Sequence, residues 1–220
     1  MEYTKDQIQE FVNKYAVNDN LTFPTHFEHR LDVISSKILY SLLREFKPKT
    51  CLEFGTSWGG SALVILKALV CNELPYKYIG FEKEDNLRID TLRNITHWLT
   101  TGAANSIHFE LWGDITRNLH KVPQKLDFAF IDPDWEEDIA IWTYENIIPR
   151  VKKGGLVQIH DWSVREKEGR LVYEGGGYKG IFYFIDRFER GEMPLEKLFS
   201  VWDWEEYRNS SIASSFWIKK

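Results

Sequence analysis

One stretch restricts the fold more than any other: Cys51-Leu-Glu-Phe-Gly-Thr-Ser-Trp-Gly-Gly60. The residues that lead into it, Thr50-Cys51-Leu52, are short and apolar, as a buried parallel strand requires. Those that follow, Ser61 to Val70, are nearly all apolar and long enough for a helix covered on most sides. Between them stand Glu53 and glycines at 55, 59 and 60. A strand that ends in a glycine-rich turn and opens a helix offers a ligand bare backbone N–H groups at the helix N-terminus. The spacing Glu53-x-Gly55-x-x-x-Gly59 is not G-x-G-x-x-G, and it lacks the lysine of a phosphate-binding P-loop.

The rest of the chain supplies the sheet that such a turn needs. Thr4-x-x-Gln7 predicts a capping box for a first helix. Leu31, Ile34, Ile38, Leu42 and Phe46 form the stripe of a second. Strands are expected at Tyr76–Glu82, Ile107–Trp112, Leu126–Asp132 and Leu156–Asp161. Helices at 85–100, with Ile89, Leu92, Ile95 and Leu99 inward, and at 136–148 alternate with them. A helix over 179–189 precedes two strands, Phe199–Trp204 and Ile212–Ile218, whose short connector makes the pair antiparallel. The expected fold is α/β: a doubly wound, seven-stranded, mostly parallel Rossmann-like sheet with an antiparallel last strand and N-terminal helices. It forms one domain over 1–220, a helical cap at 1–47 and an α/β core at 48–220.

Composition narrows the function. A formal charge of −5 argues against a nucleic-acid partner. No apolar run reaches transmembrane length and the amino terminus is charged, which points to a cytoplasmic protein without a membrane partner. Cys51 and Cys71, the only cysteines, read as free thiols of a reducing compartment. The nine tryptophans are more than a core of this size calls for, and a cleft for an organic ligand is one use for them.

Open α/β sheets bind ligands beyond the carboxyl ends of their strands. Here each of the first five strands ends in a carboxylate: Glu53, Glu82, Asp114, Asp132 and Asp161. Glu82 stands where an acidic residue accepts hydrogen bonds from both ribose hydroxyls of a nucleoside. Asp132 and Asp161 end neighbouring strands and converge, as ligands of Mg²⁺ or Ca²⁺ do. His160 has the intrinsic pKa of a general base, but alternation along a strand can turn it away from Asp161, so a structural role stays open beside the catalytic one. Trp112 is placed to stack on a purine or to fill the core. The loops at 23–29 and 162–178 are candidate lids.

Together these motifs resemble the class I S-adenosylmethionine (SAM)-dependent methyltransferases, whose first motif is acidic-x-Gly-x-x-x-Gly. The resemblance implies that Gly55, Thr56, Ser57 and Gly59 pass under the cofactor's methionine part. It sets Glu53 toward the cofactor's ammonium group, Glu82 on its ribose and Asp114 on its adenine, with Asp132 also on the cofactor side. Within the class, the chain is most similar to the divalent-cation-dependent small-molecule O-methyltransferases of the catechol and macrolide-sugar types. There, aspartates matching Asp132 and Asp161 hold a metal such as Mg²⁺ that binds two substrate oxygens. Trp162 replaces the asparagine ligand of the catechol type and Trp135 its catalytic lysine, which leaves His160 and Asp161 as the expected catalytic residues, with Asp134 a second choice. Asp132-Pro-Asp-Trp135 is also similar to the Asp-Pro-Pro-Trp/Tyr motif of amino-methyltransferases, but Asp134 replaces a proline and Glu136, Glu137 and Asp138 would repel a polynucleotide. The implied activity is methyl transfer from SAM to a hydroxyl of a small molecule. An amino-group methyltransferase, or a methyltransferase-like binding protein without catalysis, is the alternative. A small-molecule acceptor is the expected partner, with a homodimer left open.

Overall fold

The computed structural model describes residues 2–19, 21, 31–100, 107–162, 179–201, 204 and 214–220. The lids expected at 23–29 and in the loop beyond Trp162 lie outside the described residues. Seven strands form one sheet in the order β3-β2-β1-β4-β5-β7-β6, where β1 is Thr50–Phe54, β2 Tyr76–Phe81, β3 Ile107–Trp112, β4 Leu126–Ile131, β5 Val151–His160, β6 Leu195–Ser200 and β7 Ser214–Lys219. The pairs β1–β2, β2–β3 and β4–β5 are parallel, and β7 runs antiparallel to both β5 and β6. This is the expected seven-stranded sheet with its last strand reversed. No helix among the described residues is long and apolar enough to cross a membrane.

The chain divides into two compact units. The first, Tyr3–Pro123, holds β1–β3 with four helices: α1 (Lys5–Val12), α2 (Val33–Phe46), α3 (Gly60–Cys71) and α4 (Asp85–Thr100). The expected capping box opens α1: the Gln7 N–H donates to Thr4 Oγ1 at 3.3 Å and the Thr4 N–H to Gln7 Oε1 at 2.9 Å. Asp32 caps α2 by accepting from the N–H groups of Ile34 and Ser35. α3 buries Ala62 to Leu66 without interruption, as its apolar sequence requires. The inward face of α4 differs from the expectation. Ile89 is 52% and Leu92 39% exposed, while Thr91 and Ile95 are fully buried. A 3.6-residue period shows that a stripe exists, not which flank of it is covered, and here the covered flank carries Thr91.

The second unit, Gln124–Lys220, holds β4–β7 with α5 (Glu137–Asn146) and α6 (Lys179–Glu189). β5 begins at Val151, five residues earlier than expected, because Gly154-Gly155 forms an irregularity inside the strand instead of a turn before it. Its pairing with β4 jumps from Leu126↔Val151 to Phe128↔Leu156. β6 likewise starts at Leu195, since a register shift between Lys197 and Phe199 breaks the alternation by which a strand is read. α6 packs on α5 at a glycine. A Cβ on Gly180 would lie 2.6 Å from the Glu136 carbonyl oxygen and 2.9 Å from Ala140 Cβ, and the Gly180 N–H donates to the Trp135 carbonyl at 2.8 Å. Several tryptophans go to this unit's core. Trp162 meets Trp217 at 4.7 Å and Phe188 at 6.1 Å, and Trp135 meets Phe184 edge-on at 5.9 Å.

Candidate active site

In the first unit, the turn between β1 and α3 is held from below and from both sides. Gly55 and Gly59 take φ of 87° and 88°, a left-handed conformation that glycine adopts freely. A side chain at Gly59 would also press on Thr91 Cγ2, 3.1 Å from its Cβ. Ser57, which is not glycine, stands at φ 46°. Such a residue persists only where its surroundings fix it. Its N–H donates to Glu82 Oε2 at 2.7 Å, and its carbonyl accepts from the Thr91 hydroxyl. Asn94 holds the next carbonyl, that of Trp58, at 3.0 Å.

Glu82 follows β2 directly and is 8% exposed. Besides Ser57, it accepts from the Glu84 N–H through Oε1 at 3.0 Å, so each carboxylate oxygen is fixed by one amide and keeps a further lone pair for a ligand. Glu53 is fully buried in β1 and accepts hydrogen bonds from the hydroxyls of Ser61 and Tyr78. Burial, with the Glu53 carboxylate beside it, pushes the Tyr78 hydroxyl well above its ordinary pKa. Thr56 is buried, with its hydroxyl oxygen unpaired. Asp114, beyond β3, accepts from both the N–H and the hydroxyl of Thr116, at 2.8 and 2.7 Å. Trp112 donates to Glu110 at 2.9 Å, and Lys121 Nζ lies 4.2 Å above its ring. The structure therefore joins Ser57 to Glu82, and Glu53 to two residues that the motif did not single out.

The second unit gathers Asp132, His160 and Asp161. His160 Nδ1 lies 3.3 Å from Asp132 Oδ1 and 3.2 Å from Asp161 Oδ1, and one donor atom of each residue falls within 4.8 Å of the other two. Alternation along the strand would have sent His160 the other way. It does not apply, because β5 ends at His160 and Asp161 turns the chain with φ 56°. Burial alone would push the imidazole down, yet the Asp132 and Asp161 carboxylates raise it well above its ordinary value. The Phe130 ring backs it at 6.2 Å. Although both carboxylates are near, Nδ1 is buried and makes no hydrogen bond of good geometry. Asp134 is exposed and Trp162 is turned into the core, so neither joins the cluster.

The sequence profile of the family described as "Methyltransferase domain" matches residues 52–162, from β1 to just past β5. The chain belongs to the methyltransferase family. This methyltransferase has no match among curated protein sequences. Its fold is that of solved enzymes. The O-methyltransferase TomG from Streptomyces achromogenes, solved with SAM, aligns with a TM-score of 0.65 at 13% identity over 100% of this chain and 92% of that one. The O-methyltransferase from Bacillus cereus, solved with SAH, gives 0.65 at 16% identity over 99% and 92%. The SAH-bound methyltransferase PaMTH1 from Podospora anserina gives 0.66 at 13% identity over 100% and 98%. At these identities the likeness establishes the fold, and the expectation of a class I methyltransferase is borne out.

Proposed function

We propose that this methyltransferase moves a methyl group from SAM to a hydroxyl of a small molecule, with a divalent cation held by Asp132, His160 and Asp161. The observation that carries the cation is the buried Nδ1 of His160, which lies 3.3 and 3.2 Å from an oxygen of Asp132 and of Asp161 without a hydrogen bond of good geometry to either. An imidazole nitrogen and two carboxylate oxygens fit a first-row divalent ion, and the nitrogen favours Mn²⁺ over Mg²⁺. When bound, such a cation lowers the pKa of an acceptor hydroxyl beside it.

The remaining work falls to the chain's own residues, and it is positional. Methyl transfer needs the acceptor oxygen in line with the S–CH₃ bond at about 3 Å. Glu82 receives the ribose hydroxyls of SAM, and the pinned Ser57 peptide with Gly55, Thr56 and Gly59 carries its methionine part. Asp114 takes the adenine side. That solved relatives contain SAM or SAH supports this cofactor. Their naming as O-methyltransferases supports a hydroxyl acceptor over an amino group.

A second reading has an observation of its own. Carboxylates that flank an imidazole also orient a general base. One experiment separates the two. Methyl-labelled SAM is supplied with a panel of catechols, sugars and amines, with and without chelator. Label on a hydroxyl, lost with chelator and restored by Mn²⁺, is the expected result. Transfer that ignores the chelator refutes the cation, and His160→Ala then reports whether the imidazole is the base. Label on amines alone moves the protein to the amino-group class.

A further inference from the structure

We propose that Glu53 is a positioning residue, which shapes the cofactor turn through Tyr78 and Ser61 instead of touching the cofactor. The inference rests on the reading of that turn as the SAM site. Glu53 has no exposed surface, so a bound ligand meets its carboxylate only if the carboxylate's own partners move aside. Those partners come from two other elements. Ser61 lies in the first turn of α3 and Tyr78 in the middle of β2, and each donates to a different carboxylate oxygen. A carboxylate this deep is costly unless hydrogen-bonded, and the two hydroxyls supply those bonds.

Contacts continue from Tyr78 to the turn itself. The Tyr78 ring is fully buried and stacks on Phe109 at 5.5 Å and 17°, which leaves its hydroxyl no room to swing. That hydroxyl lies 2.9 Å from where a Cβ on Gly80 would stand, and Thr56 Cγ2 lies 2.8 Å from the same point. Tyr78, Gly80 and Thr56 thus close around one spot directly beneath the turn. The N–H groups of Gly55 and Thr56 both donate to the Phe81 carbonyl, at 3.0 and 3.2 Å, and Ser57 comes next, on Glu82. A shift of the Glu53 carboxylate therefore passes through Tyr78 to Thr56, and through Ser61 to the start of α3. The nucleoside and amino-acid ends of the cofactor would feel it together.

That last point is the test. Calorimetry on the full chain uses two probes, S-adenosylhomocysteine and 5′-methylthioadenosine, which keeps the nucleoside but lacks the amino-acid end. Glu53→Gln and Tyr78→Phe are each expected to weaken both probes by a similar factor of roughly ten, about one lost hydrogen bond. The double variant should bind no worse than Glu53→Gln alone, because the two residues act as a unit. If Glu53→Gln weakens only S-adenosylhomocysteine while Tyr78→Phe binds both as wild type does, Glu53 touches the cofactor's ammonium group and the inference is wrong. Variants that melt earlier yet bind both probes normally would also overturn it, since Glu53 would then serve the core alone. Should Glu53→Gln not fold, Tyr78→Phe and Ser61→Ala answer the same question. Wild-type protein that binds neither probe would refute the cofactor reading beneath the inference, a failure visible before any variant is made.

Discussion

Glu82→Gln isolates the carboxylate that holds the turn. The replacement keeps the side chain's shape but offers one carbonyl acceptor where there were two oxygens. Its amide nitrogen must then face either the Ser57 N–H, now 2.7 Å from Oε2, or the Glu84 N–H, 3.0 Å from Oε1. With Glu82 only 8% exposed, water cannot fully replace the lost acceptor. A hydrogen bond to a charged group contributes about 1.5–3 kcal/mol, and a buried donor left unpaired costs about 1–3 kcal/mol. A net loss of about 2 kcal/mol lowers the melting temperature of a chain this size by roughly 4–8 °C. Ser57, at φ 46°, relaxes once its N–H is released, so affinity for S-adenosylhomocysteine falls too, by roughly 10–30-fold. Scanning calorimetry reads the first effect and titration calorimetry the second. A variant that melts within about a degree of wild type and binds within about a factor of two would refute both the pinning of Ser57 and the ribose assignment.

Three other outcomes are expected. Asp161→Asn should weaken Mn²⁺ binding by roughly 10–100-fold or more, followed by electron paramagnetic resonance, with affinity for S-adenosylhomocysteine unchanged; equal Mn²⁺ affinity would remove Asp161 from the cation site. Gly180→Ala should destabilise by about 1–3 kcal/mol in denaturant titration, because its Cβ would sit 2.6 Å from the Glu136 carbonyl oxygen. Glu110 should show its effect through pH. Burial opposes its ionisation, but hydrogen bonds from His108, Trp112 and Lys77 outweigh that and hold its pKa at about 2, below its ordinary 4.5. A depressed carboxylate stabilises above its unfolded value and loses that contribution as pH falls through the folded one. The melting difference between wild type and Glu110→Gln should therefore be full above pH 4.5 and shrink toward pH 2, whereas a difference indifferent to pH would contradict the assignment.

Much of this arrangement was legible because parallel strands announce themselves. Apolar runs that lead to Glu82, Asp114 and Asp132 place those carboxylates at strand ends from the sequence alone. The glycine spacing after Glu53 set the turn. Other features had no local signal. A helical stripe through Ile89 and Leu92 looks the same whether or not the sheet covers it, and the residue that mattered was Thr91, whose hydroxyl holds the Ser57 carbonyl. Gly154-Gly155 reads as a turn, and only its pairing to β4 reveals an irregular strand. The direction of His160 stayed open in the sequence, because alternation along a strand stops where the strand does and β5 ends at His160 itself. Tyr78 gave no sign at all. A tyrosine in a buried strand is ordinary until its hydroxyl is seen on Glu53.

The left-handed backbone at Asp161, φ 56°, has a consequence for anyone who surveys substitutions there. Asparagine and glycine accept that conformation at little cost, whereas alanine and the β-branched residues do not. A saturation library would therefore find position 161 intolerant even in a protein that never met a metal ion. Glycine at 161 removes the carboxylate yet spares the backbone, whereas valine removes the carboxylate and strains the backbone as well. The gap between those two variants measures how much of the position's apparent importance belongs to the shape of the chain, and the gap between aspartate and glycine measures how much belongs to the charge it carries.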